Sequence, residues 1–165
     1  MVTNELVLQA LRNSTLSEEL RDSEIEMLGS LITVRDYKAG ENILKPGDTE
    51  LKEALLIVGS GDVAVMANAG ADQTVLTQLQ SGDLAGVIGF SGGNVAQISA
   101  IIVARTDCKI LILERSRFES LLNSQPSIVY YVMRGIARHV HGIVRRMNTQ
   151  SLEMNSYIYQ THGRY

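Results

Sequence analysis

Tyr37-Lys38-Ala39-Gly40-Glu41-Asn42-Ile43-Leu44-Lys45-Pro46-Gly47-Asp48 is followed, after a short polar stretch, by Leu55-Leu56-Ile57-Val58-Gly59-Ser60-Gly61-Asp62-Val63-Ala64-Val65. Both are runs of branched apolar residues divided by glycines. Gly40, Gly47 and Gly61 stand where an extended run must reverse, and glycine reaches positive φ without the steric cost of a Cβ. Working outward, β-type runs recur at 42–44, 54–58, 63–66, 74–78, 99–104 and 109–113, and 68–72 reads as a hairpin tip. Many short strands with regular turn signals predict an antiparallel sandwich or roll, about eight strands between residues 33 and 113. Ile57, Val65, Ile101, Ile110 and Ile112 are the expected core.

Helices flank this β region. Residues 4–11 and 17–31 place Leu16, Leu20, Ile25, Leu28, Leu31 and Ile32 at helical spacing, with Ser17 as a candidate N-cap. Residues 114–122 read as a short helix, and Pro126 suits the first turn of a long one. Along that helix Val129, Met133, Ile136, Val140, Ile143 and Met147 are spaced four, three, four, three, four. This heptad seam predicts a parallel homodimer. Ile128, Val132 and Val144 form a second stripe, expected to pack on the β region. The predicted organisation is one domain over 1–150, including a dimerisation helix at about 126–150, and a tail at 151–165.

The glycine frame, together with Ser81-Gly82-Asp83-Leu84-Ala85-Gly86-Val87-Ile88-Gly89-Phe90 and Ser99-Ala100, resembles the cyclic-nucleotide-binding domain family, of the catabolite-activator effector type. The resemblance runs from about Leu16 to Met147. It implies a mainly β fold, an antiparallel β-roll (a double-stranded β-helix or jelly roll) with N-terminal helices and a long C-terminal helix. It also implies a phosphate-binding cassette in which a glutamate accepts the ribose hydroxyl and an arginine pairs with the cyclic phosphate. Gly82, Asp83, Gly86, Gly89 and Ser99-Ala100 match that frame, but Val87 stands at the glutamate position and Ile98 at the arginine position. A slip of one residue brings Gln97 or Ser99 to the arginine position, and neither restores the charge. Arg105 lies six residues past Ser99, about 20 Å along an extended strand. The candidate pocket is therefore Gly86, Val87, Ile88, Gly89, Ile98, Ser99 and Ala100, and the expected function is a regulatory or interaction module binding little or no cyclic AMP. The alternative is a sensor that holds a cyclic nucleotide or a more apolar effector in the same pocket.

Composition bounds the rest. The chain has 165 residues, a net charge of −3 and one cysteine, Cys108, set in an apolar run that suggests a buried thiol. Residues 1–53 carry eleven acids against six bases, whereas residues 120–152 carry four arginines and no acid. Arg134, Arg138 and Arg145, with His141, suggest a solvated face, a surface for an acidic protein partner, or an intersubunit ion pair with the acidic N-terminal part. His139 and His141 lie two apart on a helix and point to different faces, so no metal or cofactor is expected. No spacing suggests catalysis, so no enzyme is expected. The start lacks the features of a signal peptide and no run is long enough to span a membrane, which predicts a cytoplasmic protein. The residues after Gln150 cannot build a helix-turn-helix unit, so direct DNA binding is not expected.

Overall fold

A computed structural model of the chain describes residues 2–69, 72–93 and 100–162. Helix α1 (Val2–Asn13), a 3₁₀ turn (Thr15–Ser17) and α2 (Asp22–Ser30) precede eight strands among the described residues: β1 (Thr33–Tyr37), β2 (Asn42–Leu44), β3 (Ala54–Ser60), β4 (Val63–Ala69), β5 (Asp72–Leu79), β6 (Leu84–Ala85), β7 (Ala100–Ala104) and β8 (Cys108–Glu114). The short α3 (Val87–Phe90) lies between β6 and β7, and α4 (Arg115–Glu119) and α5 (Pro126–His162) complete the chain's order. The strands form two antiparallel four-stranded sheets, β1-β8-β3-β6 and β2-β7-β4-β5, the β-roll that the sequence predicts. Gly61 shows why glycine is needed at a turn: its φ is +83°, and a Cβ there would lie 2.5 Å from the Asp107 carbonyl oxygen.

Strands β3 and β8 pair at the centre and are buried on both faces. Leu55 and Ile57 of β3, with Leu111 and Leu113 of β8, meet Leu11, Leu16, Leu28, Ile128 and Val132 under the helices. Leu56 and Val58, with Ile110 and Ile112, face the roll interior beside Ile43, Val63 and Ile102. Each fully buried branched side chain contributes about 1.5–3 kcal/mol. Ile57, Ile110 and Ile112 are core as expected, whereas Val65 and Ile101 are only half-buried. Cys108 is buried against the roll cluster, and burial, with nearby Asp107, Glu41 and Asp36, raises its thiol pKa.

Three local expectations change. The chain between the first helices bends through the 3₁₀ turn, so Ser17 is buried rather than an N-cap, and Ser14 Oγ accepts from the Leu16 N–H instead. Helix α2 starts at Asp22, where the Glu24 carboxylate accepts the Arg21 N–H at 2.8 Å. β1 and β6 lie outside the β-type runs of the sequence: β1 sets the adjacent exposed charges Arg35 and Asp36 between half-buried Val34 and Tyr37, and β6 spans only two residues.

Helix α5 presents two faces. Ile128, Val132 and Ile136 are buried in the chain's own core, so Ile136 leaves the seam expected at a partner. Val129 is half-buried against the same cluster. Met133, Val140, Ile143 and Met147 are exposed, and so is Val144, which does not pack on the roll. Arg134 lies 3.4 Å from Glu19, Arg138 lies 3.3 Å from Glu18 and also bonds Glu19. These arginines therefore meet the acidic N-terminal part within the same chain, while Arg145 and His141 are exposed. The helix also runs unbroken to His162 where a separate tail was expected.

Two glycines in α5 separate packing from helix propensity. A Cβ at Gly135 would lie 2.6 Å from the Thr15 carbonyl oxygen, whereas one at Gly142 would meet nothing within 4 Å. Gly142→Ala is expected to raise stability by about 0.5–1 kcal/mol, and Gly135→Ala to lower it by pushing α5 off the 3₁₀ turn. Urea unfolding of the two variants checks both signs.

Candidate functional site

The stretch that resembles a ligand cassette begins at a turn bound tightly to β3. Gly82 donates its N–H to the Val58 carbonyl at 2.8 Å, and the Val58 N–H reaches the Asp83 carbonyl at 3.0 Å. Asp83 closes the turn by accepting the Gln80 N–H on its carboxylate at 2.8 Å. Gly82 and Asp83 are thus turn-forming residues, as their types suggest. β6 then pairs with β3 through Leu56–Ala85 and Ile57–Leu84, which sets the start of α3 against the central strand.

Gly86 precedes α3 with φ +74°. A Cβ there would lie 2.6 Å from the Ala54 carbonyl oxygen, so both conformation and space require glycine. The four residues of α3 turn outward and inward in sequence. Val87 is half-buried against the helix-side cluster, Ile88 is 51% exposed, and Gly89 and Phe90 are buried. Phe90 packs on Phe118 of α4 with ring centroids 5.4 Å apart. The chain then folds back, with the Gly93 N–H on the Ile88 carbonyl at 2.8 Å. Ala100 opens β7, opposite Ala67 of β4. Ile98 and Ser99 lie outside the described residues. Among the described candidates, Gly86, Val87, Ile88 and Gly89 are therefore contiguous on one turn, and Ala100 belongs to the facing sheet.

One residue that sequence reasoning did not connect to this site is Arg115. Its guanidinium lies 2.7 Å from Glu53 and 3.7 Å from Glu119, and it donates to the Gly89 carbonyl at 3.5 Å. Its own N–H bonds the Glu53 carbonyl at 3.1 Å. Arg115 thus ties the end of α3 to the start of β3 and to α4. It sits at the carbonyl end of α3, already beside two carboxylates, so it is not placed as a free cation for an anion at Gly86. No linear spacing relates Glu53 to Arg115; antiparallel pairing of Ala54 with Glu114 brings them together.

The model of the cyclic nucleotide-binding domain matches residues 34–125, more than half of the chain. The chain belongs to that family. Among curated relatives, the domain is 25% identical over 133 residues to patatin-like phospholipase domain-containing protein 6 of Mus musculus, covering 81% of this chain and 10% of that protein. It is 27% identical over 143 residues to the cAMP-activated global transcriptional regulator CRP of Pasteurella multocida, covering 85% of this chain and 66% of that protein. Among solved structures, a cyclic nucleotide-binding domain from Methylobacillus flagellatus aligns with a TM-score of 0.77 at 19% identity, over 92% of this chain and 83% of that one. That likeness supports the fold. The domain spans only a tenth of the length of the phospholipase relative. No helix among the described residues is long and apolar enough to cross a membrane.

If Arg115 holds the cassette in place, Arg115→Met should speed amide hydrogen exchange at Gly89–Gly93 while leaving the β3–β8 amides protected. Equal protection at Gly89–Gly93 in both proteins would show that Arg115 does not hold it.

Proposed function

We propose that this domain is a non-enzymatic regulatory or interaction module of the cyclic-nucleotide-binding type whose cassette binds little or no cyclic AMP, and that it works as a homodimer. The observation that carries the first part is a run without charge: residues 84–104, from β6 through β7, hold no Asp, Glu, Lys or Arg. Any register of the cassette in that run therefore leaves a cyclic phosphate without a cation. Leaving a buried charge without its partner costs about 3–5 kcal/mol, and an unsatisfied buried hydroxyl about 1–3 kcal/mol. At about 1.4 kcal/mol per tenfold, these losses move a micromolar ligand to millimolar or weaker. The turn itself is retained, with Gly86 and Gly89 in place, so the module keeps its shape while lacking the charge.

Calorimetry with cyclic AMP tests this. Wild-type protein should give no measurable heat of binding at micromolar concentrations, and Val87→Glu with Ile98→Arg should bind at least tenfold more tightly than wild type. A wild-type dissociation constant in the low micromolar range would favour a true sensor and end this reading.

The homodimer rests on the outer stripe of α5. Met133, Val140, Ile143 and Met147 are exposed at heptad spacing, and the same period carries on through Gln150 to Met154, within the helix. A stripe of this kind is stable in water when a second helix covers it. In dilute protein, Ile143→Glu with Met147→Glu should give monomers on sedimentation, without the loss of folding that a change at the buried Ile136 would bring. An unchanged mass would show that α5 is not the interface.

A further inference from the structure

Among the described residues, strand β5 is one of the two edges of its sheet. Among the described residues it pairs only with β4, and its residues from Asp72 to Gln78 are exposed. Long exposed edges are normally protected by charged residues, by proline or by a β-bulge, because their unpaired N–H and C=O groups template a further strand. Here residues 73–82 carry no charge and no proline. Val75 and Leu76, 41% and 60% exposed, place apolar surface at the middle of that edge.

The segment also reads nearly the same in both directions: Gln73-Thr74-Val75-Leu76-Thr77-Gln78. Two copies of one strand that pair antiparallel about a two-fold axis bring residue i opposite residue j and j opposite i. In the register centred between Val75 and Leu76, Gln73 would face Gln78 of the second copy and Thr74 would face Thr77.

Opposed residues of an antiparallel pair share a sheet face, and an axis perpendicular to the sheet preserves faces. In a regular strand Thr74 and Thr77 point to opposite faces, which forbids this register. The observed strand is not regular. Val65 pairs with Thr77 and Met66 with Val75, so Leu76 is an extra residue in a β-bulge. The bulge shifts the alternation by one. Thr74 and Thr77 then share the face of Ala67 and Val65, and Gln73 and Gln78 share the face of Asn68 and Ala64. The irregularity that spoils the alternation of one strand is what makes the near-palindrome consistent across a two-fold axis.

The geometry points to β5 as a self-association edge, on which a second copy of this chain adds its own β5 antiparallel and joins two four-stranded sheets. Thr–Thr cross-strand pairs are favourable, and like charges directly opposite are not. The only charge in the strand, Asp72, sits at one end, so the two copies of Asp72 fall at opposite ends of the pairing. Val75 and Leu76 of both copies would meet at the axis. This interface is separate from the outer stripe of α5 and does not depend on it.

A charge swap tests the register. In full-length protein carrying Ile143→Glu and Met147→Glu, which removes any contribution of α5, sedimentation velocity is run at rising protein concentration. The unaltered β5 edge should give a mass that rises towards twice that of the monomer. Thr74→Lys with Thr77→Lys places lysine opposite lysine and should hold the protein monomeric. Thr74→Lys with Thr77→Glu places each lysine opposite a glutamate and should restore association at low salt, weakening as salt is added. A monomer at every concentration with the unaltered edge, or association equal in the two charged variants, would overturn the proposal.

Discussion

The pairing of β3 with β8 imposes the constraint on which the other elements depend. Both strands are buried on both faces, so each must be apolar on both, as Leu55-Leu56-Ile57-Val58 and Ile110-Leu111-Ile112-Leu113 are. A strand of this kind needs cover on either side. The second sheet supplies it on the roll side, and α1, α2 and α5 supply it on the other. The approach is close at Gly59, where a Cβ would lie 2.4 Å from a Leu111 methyl group. One pair of strands thereby separates and unites two hydrophobic clusters, and the helices are as much a part of the core as the roll.

The cassette inherits its position from the same pair. Its turn bonds Val58, its short strand pairs with Leu56 and Ile57, and Gly86 rests on the Ala54 carbonyl. Arg115, the first residue after β8, closes the far end onto Glu53 beside β3. These contacts are made by backbone groups, glycines and a structural ion pair. They place no demand on a ligand-binding side chain, and Val87 of the same turn packs against the helix-side cluster. A glycine-built turn and a run without charge over residues 84–104 are therefore compatible in one folded domain.

What was legible in the sequence follows from how local each signal is. Strands with continuous apolar runs and glycine turns were readable, because steric limits on φ act on single residues. β1 was harder: Val34 packs on the helix-side cluster and Tyr37 on the roll cluster, and the adjacent charges of Arg35 and Asp36 between them mask its period. Ser17 has the right type for an N-cap, but the buried 3₁₀ turn overrode that preference. Along α5 the apolar period was correct, whereas the division between inner and outer faces was not. Ile136 turns inward because Gly135 lets the helix approach Leu16 closely, and a heptad register does not contain that information. The pairing of Arg134 and Arg138 with Glu18 and Glu19 likewise depends on how α5 crosses the N-terminal turn. In the cassette, the glycine frame and the apolar residues Val87 and Ile98 were visible at once, while the contact from Arg115 needed the strand register.

The central claim is that the scaffold of a nucleotide-binding cassette stands without the charge that binding requires. Its most direct test is an NMR titration of the unaltered protein with cyclic AMP, followed at the amides of Gly86, Val87, Ile88, Gly89 and Phe90. These resonances should stay in place until the nucleotide reaches millimolar concentration and show no saturation below it. Shifts confined to these amides that saturate at micromolar nucleotide would contradict it.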